Sequence, residues 1–175
     1  MSLLDIPYGY KAPEVVNTVI ENPKGSRLKI EYDRELSNFV LDRVHQTHLG
    51  SPSDYGFVPS TLDEDGDALD MLLISDDPMP MGLIVPTRVI GVMYMVDSGE
   101  VDNKLIGVPA DDKHYDDIKS LDDVAEHWKH AVKHYFEHYK DLKGDIVEIK
   151  GFAGFDEAKV IFEECVERYD KEFKK

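Results

Sequence analysis

Residues Asp63 to Leu73 read DEDGDALDMLL: five carboxylates fall within eight positions, and an apolar run follows at once. Asp and Gly favour turns, so the first half reads as a loop; Met71 to Ile74, bounded by turn signals, reads as a buried strand. Asp63 and Glu64 fit a solvated acidic loop. Asp70 does not, because Leu69, Met71 and Leu72 flank it. A buried carboxylate without a partner costs several kcal/mol, so a cation is expected beside it. Calcium in an EF-hand is excluded: with Gly66 at the loop glycine, Thr61 and Leu72 stand where acidic ligands are required.

Outward from this stretch the first two-thirds of the chain is strand-like. RLKIEYD alternates, with Leu28, Ile30 and Tyr32 on one face and Lys29, Glu31 and Asp33 on the other. VNTVIE, NFVLDR and ALDMLLI read as further strands, and RVIGVMYMVDSGEVDNKLIGVP as a hairpin turning at Ser98-Gly99. The last third is helical. A cap at Ser120, with Asp123 completing a capping box, opens a helix whose apolar stripe runs from Leu121 through Trp128, Val132 and Phe136 to Tyr139, stopped by Gly144. A short strand at Ile146 to Ile149 precedes a second helix, FDEAKVIFEECVERYDKEF, with Cys165 on its apolar side. Strands first and helices after predict an α+β fold, a small barrel with helices against it, as one domain over residues 1–175.

The 175 residues carry 36 acidic against 20 basic side chains, a net charge of −16. Such a surface repels phosphate backbones and anionic lipid, which argues against nucleic acid and membrane partners and suits divalent cations. No leader-like segment is visible at the N-terminus, the most apolar window is broken by prolines, and the one cysteine allows no disulfide within the chain. A soluble, cytoplasmic protein is expected.

A second acidic set lies on the hairpin. Asp97 ends one strand, and Asp102 shares a strand face with Lys104. All-oxygen clusters select hard ions such as Mg²⁺ or Mn²⁺.

VIENP with Glu21, KIEYD with Lys29 and Glu31, DR with Arg43, DYGFVPSTLDEDGDALD, VDSGEVDNK and HYFEHYKDLK, in this order, resemble the soluble family I inorganic pyrophosphatases over nearly the whole chain. The resemblance implies metal ligands at Glu21, Asp65, Asp70, Asp97 and Asp102, and a general base at Asp67. It implies substrate contacts at Lys29, Glu31, Arg43, Tyr55, Lys104, Tyr139 and Lys140. It further implies a five-stranded OB-like barrel with flanking C-terminal helices, a homohexamer, and Mg²⁺-dependent hydrolysis of pyrophosphate. Several Mg²⁺ ions, with Mn²⁺ as a substitute, would reverse the sign of the acidic site and lower the pKa of a water from about 15.7 towards about 7.

The pattern departs from the family at four positions. Ser51 stands where the family usually has tyrosine, Asp54 where asparagine is common, Ala68 where the signature has proline, and Asn22 where an apolar residue is usual. None removes a ligand; Ser51 and Ala68 leave as the alternative a weakened or inactive metal- and phosphate-binding protein. HYFEH, His134 to His138, matches a zinc-peptidase signature, but too little chain follows for a further ligand. These histidines, with His127 and His130, read instead as a stripe at a subunit contact.

Overall fold

The computed structural model describes residues 2–174. Five strands close into a ring: β1 (Val15–Asn22), β4 (Asp54–Phe57), β5 (Asp70–Leu73), β8 (Lys104–Pro109) and β6 (Ile84–Asp97), which returns to pair with β1. All neighbours in the ring are antiparallel except β5 and β8. β7 (Glu100–Val101) and β9 (Val147–Ala153) extend β6, and β2 (Leu28–Asp33) with β3 (Asn38–Val44) makes a separate two-stranded sheet. The α+β barrel with C-terminal helices is therefore present, with more strands than the ring alone needs.

The ring strands lose the period-two pattern because both faces are covered. Met71 and Leu105 pack with Phe162 and Cys165 of α2 (Phe155–Phe173), whereas Leu72 and Ile106 share a cluster with Val132, Tyr135 and Phe136 of α1 (Glu126–His138). Continuous apolar runs such as MLL are the signature of such doubly covered strands. Burying one of these side chains contributes about 1.5–3 kcal/mol, and truncating Phe162 to alanine would cost about 3–5 kcal/mol. Gly56 lets β4 touch β1: a Cβ there would lie 2.0 Å from the Val19 carbonyl oxygen. The hairpin turns where expected, with φ of 53° at Ser98 and 89° at Gly99, the pair of left-handed residues that matches strand twist.

Two expectations are corrected, and a third element is placed. The Ser120–Asp123 box is present, the Asp123 carboxylate accepting from the Ser120 N–H at 2.8 Å, but it caps one 3-10 turn. Val124 and Ala125 are extended, so α1 starts only at Glu126, and it ends at His138 before a separate 3-10 turn closed by Gly144. RLKIEYD forms the expected strand and lies outside the ring, with neither face fully buried. Asp63 is not solvated: it is 8 % exposed and lies beside Arg168 (3.6 Å) and the Cys165 thiol (3.7 Å) of α2.

Candidate active site

A cleft of about 900 Å³ opens where the strand ends of the ring meet the β2–β3 hairpin and the end of α1. Every residue assigned to the site from sequence lines it except Arg43, which pairs across the hairpin with Lys29 and forms an ion pair with Asp42 at 3.4 Å. Carboxylates outnumber lysines and arginines along its wall.

Parallel pairing of β5 with β8 sets Asp70 opposite Lys104. The Lys104 ammonium, on a side chain only 2 % exposed, donates to Asp70 and to Asp102, each at 2.7 Å, and lies over the Tyr55 and Phe136 rings. The Tyr55 hydroxyl donates to Asp70 as well. Burial pushes the Asp70 carboxyl up to about 7, although the Lys104 charge opposes it. The partner demanded for Asp70 is thus supplied first by lysine; sequence spacing gave no sign of this, because β5 and β8 are distant in the chain.

Glu21, 7 % exposed, is pushed up to about 8 by burial and by the Asp70 charge, and its carboxylate accepts from the Tyr32 N–H at 2.9 Å. At the far wall Asp97 pairs with Lys140. Burial alone would raise the Asp97 carboxyl, but Lys140 outweighs it and holds the group below its usual range. Tyr139 stacks near Tyr135 and His45. Lys29 pairs with Glu31 and stands 3.6 Å from Asp42, which also lines the cleft.

Asp65 and Asp67 project from a turn built on Gly66, whose φ of 95° favours glycine. The Asp67 N–H donates to the Asp65 carboxylate at 3.0 Å and the Asp63 N–H to the Asp67 carbonyl at 2.7 Å, so the turn is held without a proline at position 68. Asp67 is exposed at the cleft, and partial desolvation by its surroundings, with the Asp65 charge, raises its carboxyl. Among the described residues no side chain pairs with it, which leaves it free to accept a proton.

The other departures are also placed. The Ser51 hydroxyl donates to the Ser53 carbonyl at 2.6 Å, so it is engaged with backbone. Asp54 is buried off the cleft and accepts from the Lys24 and Met79 N–H groups (2.7 and 3.0 Å) and the Ser75 hydroxyl. All three partners are donors, which suits an acceptor-only carboxylate. His134 and His138 are exposed on α1, with rings 4.6 Å apart, and His138 is paired with Asp141; neither lines the cleft.

The donor set fits hard cations. Among the described residues no three ligating side chains converge tightly enough to enclose an ion. An ion such as Mg²⁺, though, binds through one or two carboxylates and completes its shell with water and phosphate. Two carboxyls raised by burial, in a wall with excess acid, provide such a place.

The inorganic pyrophosphatase family model matches residues 18–170. The chain is 44 % identical to the inorganic pyrophosphatase of Thermus thermophilus over 171 residues, covering 96 % of this chain and 98 % of that one. It is 43 % identical to that of Geobacillus stearothermophilus over 159 residues, covering 91 % and 96 %. The Thermus thermophilus crystal structure superposes with a TM-score of 0.94 at 44 % identity, covering 97 % and 99 %, and that from Neisseria gonorrhoeae with 0.92 at 41 %, covering 97 % and 99 %. By sequence, fold and cleft together, the chain belongs to the family I inorganic pyrophosphatases.

Proposed function

We propose that this chain, acting as one domain, hydrolyses inorganic pyrophosphate to two orthophosphates in the cleft. The observation that carries the reading is that Asp67, a carboxylate with no side-chain partner among the described residues, lines the same acidic cleft as Lys29, Lys104 and Lys140. A water oxygen bonds to one phosphorus, the bridging oxygen leaves with the other, and Asp67 takes the proton that the water gives up. A carboxyl raised towards neutrality is suited to that transfer. Lys29, Lys104 and Lys140 neutralise phosphate oxygens, with Arg43 adding charge from beside Lys29 just outside the cleft, and Tyr55 and Tyr139 donate to them; lysine charge near the departing phosphate lowers the barrier. Glu31 holds Lys29 in place. Glu21, Asp65, Asp70, Asp97 and Asp102 would hold several Mg²⁺ ions, with Mn²⁺ as a substitute. When bound, these ions neutralise the polyanion and acidify the attacking water.

A homohexamer is the assembly we propose. The side chains of Met81, Leu83 and Ile84 stand exposed where the chain enters β6, as an intersubunit surface would require. No helix among the described residues is long and apolar enough to cross a membrane. A cytoplasmic location agrees with the free, buried Cys165.

The test is phosphate release from pyrophosphate with Mg²⁺ present and then chelated, with Asp67→Asn as the blank. Mg²⁺-dependent release that the folded variant loses, by about 10²-fold or more, is the expected result. Near-normal turnover in Asp67→Asn would remove Asp67 from its role, and no release from the folded, Mg²⁺-binding wild type would overturn the function.

A further inference from the structure

The β2–β3 hairpin carries Lys29, Glu31 and Arg43, yet no backbone ladder joins it to the ring. Its middle is fastened to β1 by two side chains. The Asn22 amide acts as a surrogate strand: its Nδ2 donates to the Ile30 carbonyl at 3.0 Å, and its Oδ1 accepts from the Ile30 N–H at 2.9 Å. The Glu21 carboxylate accepts from the Tyr32 N–H at 2.9 Å. Adjacent residues of a regular strand point to opposite faces, so both could not reach the hairpin from one. They do so because β1 bulges. Ile20 pairs with Gly56 and Asn22 with Tyr55, which leaves Glu21 as the extra residue. Bulges re-aim side chains in this way.

The two fasteners differ in one respect. Both line the cleft and both are 7 % exposed, but Glu21 is a carboxylate and Asn22 carries no charge. A cation in the cleft would compete with the Tyr32 N–H for the anionic Glu21 carboxylate far more strongly than for the neutral amide oxygen of Asn22. An apolar residue at position 22, usual in the family, could pack but would leave the Ile30 N–H and carbonyl without partners.

We propose that Asn22 is a positioning residue, which clamps the β2–β3 hairpin to the ring and keeps Lys29 and Glu31 at the cleft wall when a cation draws Glu21 away. This rests on the proposed pyrophosphatase reading for its consequence, but the clamp itself can be tested without substrate.

Amide hydrogen exchange is measured at Ile30 and Tyr32 in the wild type, with and without Mg²⁺, and in Asn22→Leu and Asn22→Asp. Mg²⁺ should speed exchange at Tyr32 and leave Ile30 protected. Asn22→Leu should speed Ile30 exchange about tenfold, the size of one or two lost hydrogen bonds, while core amides such as that of Leu72 stay protected. Asn22→Asp keeps the acceptor and loses the donor, so it should fall between. With Mg²⁺ and pyrophosphate, Asn22→Leu should raise KM about tenfold and move kcat far less, since the hairpin contributes binding rather than the proton acceptor. Unchanged Ile30 exchange in both variants would overturn the clamp, and faster exchange with unchanged KM would overturn the positioning role. A wild type without pyrophosphate hydrolysis would sink the functional reading alone, because the exchange data would still decide the clamp.

Discussion

Replacing Lys104 with methionine tests the electrostatics of the cleft directly. The side chain is 2 % exposed and its ammonium sits 2.7 Å from both Asp70 and Asp102. Methionine keeps most of the volume and removes the charge. Removing one partner of a buried pair leaves the other uncompensated, at a cost of about 3–5 kcal/mol. In a chain of this size each kcal/mol lowers Tm by about 2–4 °C, so the expected fall is on the order of 6–20 °C. The assay is urea and thermal unfolding at pH 8 in chelator, at fixed protein concentration. An unchanged m-value would show that the two unfolding reactions expose the same surface. Asp70→Asn in the same chain should recover part of the loss, because only Asp102 is then left without its lysine. Mg²⁺ should stabilise Lys104→Met more than the wild type, since a divalent ion can take the position between the two carboxylates. A loss under about 1 kcal/mol in chelator, the range of a surface pair, would refute the claim that Lys104 compensates Asp70.

Further outcomes follow from other parts of the fold. Gly56→Ala forces a Cβ against the Val19 backbone and should cost about 3 kcal/mol or more in the same unfolding assay; a near-neutral effect would mean that β4 and β1 are further apart than described. Asp5 accepts from Tyr169 (2.6 Å) and Arg34 (2.7 Å), which overcome burial and lower its pKa. A carboxylate with a depressed folded pKa contributes stability above its unfolded pKa and loses it as pH falls. Asp5→Asn should therefore cost about 1 kcal/mol at pH 7 and little near pH 3, and a pH-independent cost would contradict this. Burial pushes the Cys165 thiol up to about 12, so a thiol reagent at pH 8 should modify it only after unfolding. Rapid labelling of native protein would show that the α2 face is open.

Local information settled much of this protein. The second helix runs over the residues its apolar period marks, because a helical stripe is written in consecutive positions. The hairpin at Ser98-Gly99 is legible for the same reason: two residues carry the turn. The candidate site residues were legible through the short motifs that carry the family resemblance. Tertiary structure alone decided how these pieces meet. Closure of the ring depends on β6 returning to β1, and the Asp70–Lys104 contact on a parallel pairing of strands far apart in sequence. Burial of Asp63 depends on where α2 docks, and the reach of Asn22 on a bulge that exists only once β1 pairs with β4. Sequence period reports which face of an element is apolar; the partner that covers that face, and the charge opposite each carboxylate, are set by packing between elements, which no local window contains.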